Sequence, residues 1–313
     1  MAILKKMRKL SFCKVFTYLS RRYEMRFIPS EWYLKWVYCG ETGRKLNLKN
    51  PTRYTELLQW IKLYDHNPKY TVMVDKAEAK KWAAKLIGEE HIIPTLGVWE
   101  HFDDIDFSQL PDQFVLKCTH DSGSVIVCRN KAELNLTAAK AKLEKALKKE
   151  YFYEGRQWPY KNVKPRIIAE QYLVNDETGD LRDYKFFSFS GEPKVMYIAT
   201  GRGTGATYGD FFDMSFQHLD LCIDHQMAPT VPQKPALFEE MKAAARKLAQ
   251  GIPQVRVDFY EVNGQFYFGE MTFFHCSGFT SFHPDEWDMT FGEWTLEGLQ
   301  NNSMLLSGKN RLV

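Results

Sequence analysis

Apolar and polar positions along the chain follow a two-residue period in some stretches and a helical period in others, and the two kinds interleave. DKAEAKKWAAKLIGEEHIIP (75–94) has the Ala, Lys and Glu content of a helix ending near Gly88, followed by a stretch that enters a strand. PDQFVLKCTH (111–120) predicts a strand carrying Lys117 near its end, DSGS (121–124) a turn, VIVCR (125–129) the return strand and residues 131–151 a helix. PRIIAEQYLV (165–174) is a further apolar strand, DYKFFSFSG and EPKVMYIAT a hairpin over 183–200, and residues 234–250 another helix. Residues 1–70 read as helices and loops interrupted at Lys49-Asn50-Pro51-Thr52, and carry no evident chemistry.

The most informative stretch is VRVDFYEVNGQFYFGEMTFF (255–274), two strands about Asn263-Gly264. A two-residue type I′ loop is the usual reading of Asn-Gly. An unbroken ladder from that loop pairs Asp258 with Gly269 and puts Glu270 beside Val257, so neither face is uniformly apolar. A three-residue loop, or an equivalent bulge, gathers Val255, Val257, Phe259, Met271 and Phe273 on one face and Arg256, Asp258, Glu270 and Thr272 on the other. That sorting is the expectation. It places both acids outside the apolar face, where neither is needed for folding.

Bulk properties change this picture little. The chain has 313 residues, 44% hydrophobic, 26% charged and 15% aromatic, which fits a globular protein of two lobes. Net charge is +3, but residues 1–26 hold eight Lys or Arg against Glu24, which leaves the remainder acidic. The body is therefore no nucleic-acid binder, and the N-terminal segment is the candidate for contact with an anionic membrane. Lys14 interrupts its apolar part, so it does not read as a signal peptide, and no run is long enough to span a bilayer. Six cysteines without CxxC spacing point to free thiols and a cytoplasmic setting, at most peripheral at the inner face of the membrane.

Several short constellations compete for a chemical role. Alone, Lys117 would be a snorkelling strand-end lysine, and Arg256, Asp258 and Glu270 an exposed salt-bridge ladder. HLDLCIDH (218–225) offers His218, Cys222 and His225, but strand alternation turns His225 away from the other two. Cys118, His120 and Asp121 fit core or lid positions, and the acids of DDIDF (103–107) a surface loop. GRGTGATYGD (201–210) lacks a strand-Gly-helix continuation and reads as a mobile substrate loop.

The order of the pieces is more specific than any one of them. A strand lysine before a small-residue turn, then Glu170-Gln171-Tyr172-Leu173, Asp183-Tyr184-Lys185, Arg256-x-Asp258 and Glu270-x-Thr272 resembles the ATP-grasp fold, most closely its TupA-like branch associated with teichuronopeptide and cell-envelope polysaccharide biosynthesis. The resemblance covers roughly residues 75–290. It implies an α+β protein of two ATP-grasp lobes with ATP between them, after a helical N-terminal region: 1–74 helical, 75–169 the small lobe with Lys117 and the phosphate lid, 170–313 the large lobe with hinge and metal site. It implies that Lys117 reaches the nucleotide phosphates and that Ser122, Gly123 and Ser124 form a phosphate lid. By the same resemblance Gln171 and Leu173 bond the adenine edge through main-chain groups, and Glu170 accepts its amino group. Asp183 then falls on the ribose, Lys185 makes a second phosphate contact, and Lys76 belongs to a frequent opening motif. Asp258, Glu270 and Thr272 would ligate Mg²⁺, a hard cation that prefers oxygen. Arg256 would neutralise charge on the transferred phosphoryl group. Where the family usually has Asn, this chain has Thr272, a weaker ligand. The implied reaction is ATP-dependent ligation of a carboxylate to an amine through an acyl phosphate, joining an amino acid to a uronic acid of an envelope polysaccharide. The rival class is a glycosyltransferase of capsule or lipopolysaccharide synthesis.

Overall fold

The architecture was obtained as a computed structural model, which describes residues 12–174, 181–201 and 207–301. Helices α1 (12–20) and α2 (Ser30–Thr42) pack through Phe16, Tyr33, Leu34, Val37 and Tyr38 into a small core of their own. The helical N-terminal region expected from the sequence is present, and α3 (Tyr54–Tyr64) carries it onto the body. Then come α4 (Lys69–Val74) and α5 (Glu78–Ile87), the latter stopped at Gly88 by a left-handed φ of 102° that suits glycine.

Two antiparallel sheets follow. The first has strand order β1-β4-β2-β3, built from β1 (Thr95–Trp99), β2 (Phe114–Cys118), β3 (Ile126–Cys128) and β4 (Ile167–Gln171). Alternation along β2 sends Phe114, Leu116 and Cys118 into a core shared with α6 (Leu136–Leu147), and leaves Val115 and Lys117 on the other face. The helix expected over 131–151 is thus shorter, because Asn135 caps α6 by accepting from the Ala138 N–H.

The second sheet has order β11-β10-β5-β6-β7-β8, from β5 (Asp183–Phe189), β6 (Glu192–Thr200), β7 (Tyr208–Asp213), β8 (His218–Leu219), β10 (Gln254–Val262) and β11 (Gln265–Thr272). A separate ribbon joins β9 (Cys222–Ile223) to β12 (Phe282–His283). Helix α7 (Phe238–Ala249), shorter than the expected 234–250, covers one face of the sheet, and α8 (Glu286–Asn301) packs on α3 and β5. The result is the mixed α+β class predicted from the sequence.

The β10–β11 hairpin meets the expectation by a bulge and not by a longer loop. Val262 pairs with Gln265, so the loop has two residues, with Asn263 and Gly264 at φ 51° and 76° as a type I′ turn requires. Parity is restored farther along: Phe259 faces Phe268, yet Asp258 faces Glu270, leaving Gly269 as the extra residue of a bulge. Val255, Val257, Phe259, Met271 and Phe273 are all buried in the main core, and Arg256 pairs with Thr272 on the opposite face. Because Asp258 also pairs with Lys185 of β5, the row Lys185–Asp258–Glu270 runs across three neighbouring strands.

Candidate functional site

The polar face of the second sheet is a closed electrostatic network. The Asp258 carboxylate accepts from Arg256 Nε at 2.7 Å, Arg256 Nη2 at 2.7 Å and Lys185 Nζ at 2.5 Å. Lys185 also donates to Asp183. Arg256 Nη2 reaches Thr272 Oγ1 at 3.0 Å and Glu270 Oε1 at 3.4 Å, and the Thr272 hydroxyl donates to Glu270 at 3.1 Å. Burial alone would raise the Asp258 carboxyl, but Arg256 and Lys185 outweigh it and hold the group at about 2. Asp258 lies outside the apolar face as expected, yet it is 1% exposed and so is sealed on the polar side instead. Glu270, with 44% of its side chain exposed, does stand clear.

A second charged patch comes from the first sheet. Glu170, on β4 diagonal to Lys117 of β2, bonds Lys117 Nζ at 2.5 Å and Lys80 Nζ at 2.6 Å. Burial opposes ionisation of Glu170, and the two ammoniums prevail and lower its pKa. Lys76 links the patches. Burial lowers its pKa, Glu270 and Glu170 resist and Lys117 adds to the lowering, so one ammonium feels acids from both sheets. It also donates to the Asp121 carbonyl at the lid turn. There, Ser122 and Gly123 are exposed, and the Gly123 φ of 99° leaves open space where a Cβ would stand. Ser124 is occupied otherwise: its hydroxyl donates to Asp121 Oδ1 at 2.6 Å and accepts from the Cys118 N–H at 2.8 Å, locking the turn. Gln171 and Tyr172 border a separate cavity of ≈ 690 Å³, and Leu173 follows them, half-buried.

Sequence reasoning missed a third group. His275, buried at the end of the hairpin, receives Arg256 Nη1 on Nδ1 at 2.6 Å. A guanidinium only donates, so Nδ1 is the acceptor and the neutral ring carries its proton on Nε2. Burial and then Arg256 push the His275 pKa well below its usual value, which keeps that tautomer neutral. Nε2 looks toward Cys276 Sγ at 3.7 Å and Asp224 Oδ2 at 3.8 Å, while Cys276 Sγ donates to Asp224 at 2.6 Å. These three are the one close grouping of metal-type ligands among the described residues. A cation on Nε2 would have to expel the only proton of a ring already held by Arg256, so the grouping reads as a hydrogen-bonded chain. Cys276 and Ser277 adopt left-handed φ of 47° and 52°. Lys62 fixes the strained loop from below, with Nζ 2.7 Å from the Ser277 carbonyl, and its burial pulls its pKa well down.

The competing constellations resolve simply. His218 bonds Asp210 at 3.0 Å and is apart from Cys222 and His225 as a ligand set. His120 Nε2 faces the carbonyls of Ala146 and Lys149, and burial raises the Cys118 thiol to about 11, so both are structural. Asp103 pairs with Lys140 and Asp106 caps Ser108 on the surface. The Gly-rich loop falls largely on 202–206, and part of the basic segment on 1–11, outside the described residues.

The family model of TupA-like ATP-grasp proteins matches residues 56–296, and the chain belongs to this family of ATP-grasp ligases. Among solved structures it is similar to D-alanine–D-alanine ligase from Bacillus anthracis (17% identity, TM-score 0.43, covering 80% of this chain and 69% of that one). It is also similar to D-alanine–D-alanine ligase from Helicobacter pylori (16%, 0.41, 80% and 69%) and to D-cycloserine synthetase DcsG (15%, 0.40, 73% and 71%). No curated protein sequence matches the chain.

Proposed function

We propose that the chain uses ATP, bound between the 75–169 and 170–313 lobes, to phosphorylate a carboxylate, and that an amine then attacks the acyl phosphate. In the second step a C–N bond forms, the C–O bond to phosphate breaks and the amine nitrogen loses a proton, giving amide, ADP and phosphate. The observation that carries this reading is the pairing of Lys117 with Glu170 on the first sheet and of Lys185 and Arg256 with Asp258 and Glu270 on the second, with Lys76 under the charge of both Glu170 and Glu270. Such a set binds and orients polyphosphate by position and charge. It needs no enzyme nucleophile, and the thiols of buried Cys118 and exposed Cys276, raised to about 11 and about 12, offer none.

Lys117 and the open Ser122–Gly123 backbone would hold phosphates, with Ser124 fixing the turn; Gln171 and Leu173 would meet the adenine through main-chain groups beside Glu170, and Asp183 the ribose. Lys185 would exchange an acid for a phosphate oxygen. For Mg²⁺ the donor set fits in kind, all hard oxygens on one face, with Glu270 open and Thr272 beside it, while Asp258 has its lone pairs on Arg256 and Lys185. The ion, when bound through these three residues, would neutralise phosphate charge. Arg256, oriented by Asp258 and His275, would stabilise the transferred group.

The substrates we favour are a uronic acid of an envelope polysaccharide and an amino acid. None of the helices among the described residues is long and apolar enough to cross a membrane. However, Phe12, Val15, Tyr18, Tyr23, Phe27 and Trp32 are exposed beside Lys14, Arg22 and Arg26, a face suited to an anionic bilayer surface. Liposome co-sedimentation should rise with anionic lipid and fall when residues 1–26 are removed; indifference to either removes this contact. For the chemistry, calorimetry should show Mg-ATP binding weakened at least ~10-fold by Lys117→Ala. A preference for UDP-sugar, or no ADP release across a panel of uronic acids with amino acids, would overturn the ligase reading.

A further inference from the structure

We propose that the amine substrate is received in a groove walled by helices α1 and α2, with Asp224 as the anchor for its ammonium group; the inference rests on the ligase reading above. Two cavities of ≈ 310 and ≈ 410 Å³ share Glu41, Asp224, Phe279 and Thr280, and so form one continuous polar groove. One end reaches Cys276 and Ser277, one imidazole ring away from Arg256. The other runs out past His225 and His283 of the β9–β12 ribbon. The groove therefore runs from the surface to the Cys276–Ser277 loop, with the buried His275 ring between its end and Arg256.

Its outer wall comes from the part of the chain that carried no evident chemistry. Thr17 and Ser20 of α1, Arg21 just after it, and Tyr33 and Glu41 of α2 line it, all of them before residue 56, where the family match begins. The wall is fixed to the body by Arg156. That side chain is 1% exposed, donates to the carbonyls of Met25 and Ile28, and stands 4.4 Å over the Tyr33 ring and 4.8 Å over Tyr153. Since the shared fold supplies the phosphate chemistry and this chain's own N-terminal helices supply the groove, choice of the amine is assigned to the helices.

Charge decides the class of ligand. Glu41 is already paired with Arg21 at 2.5 Å. Asp224 accepts from Cys276 and Thr280, both neutral, and faces a His275 that is neutral as well; among the described residues no lysine or arginine lies within ion-pair distance of it. The Asp224 side chain is one-third exposed to the groove, so two protein donors leave part of its carboxylate open to solvent or to a ligand. An alkylammonium supplies both a hydrogen bond and a compensating charge. A neutral sugar hydroxyl supplies only the bond, and a carboxylate or phosphate would be repelled.

Asp224→Asn is a clean test because Asp224 sits at φ 63°, a left-handed conformation that Asn adopts readily, so the change removes charge with little strain. The full chain loaded with a non-hydrolysable Mg-ATP analogue is titrated by ligand-observed NMR with the proteinogenic amino acids and, as neutral controls, their N-acetyl forms. We expect at least one amino acid to bind ~10-fold more tightly than its N-acetyl form, that preference to vanish in Asp224→Asn, and nucleotide affinity to stay unchanged. Ser20→Trp, which fills the groove from α1, should abolish amino-acid binding and spare nucleotide. Equal binding of both forms, retention of the preference in Asp224→Asn, unimpaired binding in Ser20→Trp, or nucleotide binding with no amino acid bound each overturns the groove assignment. Failure to bind nucleotide overturns the ligase reading instead.

Discussion

Asp258 and Glu270 are given the same proposed task, yet the fold treats them oppositely, and replacing each by its amide separates folding from chemistry. Asp258→Asn removes the carboxylate that accepts from both Arg256 and Lys185, and leaves Lys185 to Asp183 and Arg256 to the longer contact with Glu270. The drop of its pKa to about 2 corresponds to roughly 2–3 kcal/mol at neutral pH. Breaking one side of a buried ion pair costs about 3–5 kcal/mol. A loss of about 3 kcal/mol satisfies both, and with an unfolding entropy of about 2.1 cal/mol/K per residue it lowers Tm by about 5 °C for a chain of this length. Glu270→Gln alters a half-exposed group held by one hydroxyl and a 3.4 Å guanidinium contact, and should stay within about 0.5 kcal/mol. Turnover should be nearly abolished in both. Melting curves of the two proteins without nucleotide are the assay. Acid adds a second readout: the folded pKa lies below the unfolded one, so Asp258 stabilises fully above about pH 4 and ceases to as pH falls through about 2, and the gap between wild type and Asp258→Asn should narrow there. Equal Tm shifts in the two variants, or an Asp258→Asn protein as stable as wild type, would refute the account of the network.

Gly269→Ala should cost about 1–3 kcal/mol and reduce turnover, because a Cβ there would stand 3.1 Å from the Asp258 carbonyl oxygen and 3.1 Å from the Tyr260 ring; wild-type melting and activity would disprove the crowding. The His275 ring is neutral when folded and takes a proton below about pH 6.5 when unfolded, so it should cost wild type up to about 1.4 kcal/mol of stability per pH unit on acidification. The stability difference between wild type and His275→Gln should therefore shrink from pH 7 to pH 5, and parallel curves would contradict the buried neutral assignment.

What the sequence disclosed was parity and order. The hairpin had to contain one extra residue for its side chains to sort, and that followed from alternation alone. Where the extra residue sat did not, since a longer loop and a bulge satisfy the same parity; the Asn263-Gly264 turn keeps its preferred form, and the correction falls at Gly269, which has no Cβ to place. Lys117 was legible because it ends a strand before a small-residue turn. Lys80, which shares Glu170 with it, looked like any lysine on a charged helix, because burial against a strand 90 residues away leaves no local mark. Asp224 and His275 were hidden for a related reason. HLDLCIDH was read as one strand, but it breaks into β8 and β9, and the positive φ at Asp224 turns the chain toward a loop that follows Thr272.

The bulge at Gly269 has a consequence for how this hairpin tolerates changes of length. A residue removed from a paired strand normally inverts every side chain beyond it. Here removal of Gly269 would leave Val262 opposite Gln265, Phe259 opposite Phe268 and Asp258 opposite Glu270, with each partner in the existing register conserved. What would disappear is the local bend, while Glu270 would remain on the edge strand β11, half in solvent, and Asp258 on the inner strand β10, sealed between its neighbours. One residue without a side chain thus leaves the two carboxylates opposite each other on one face, and their places on an inner and an edge strand make one sealed and the other reachable.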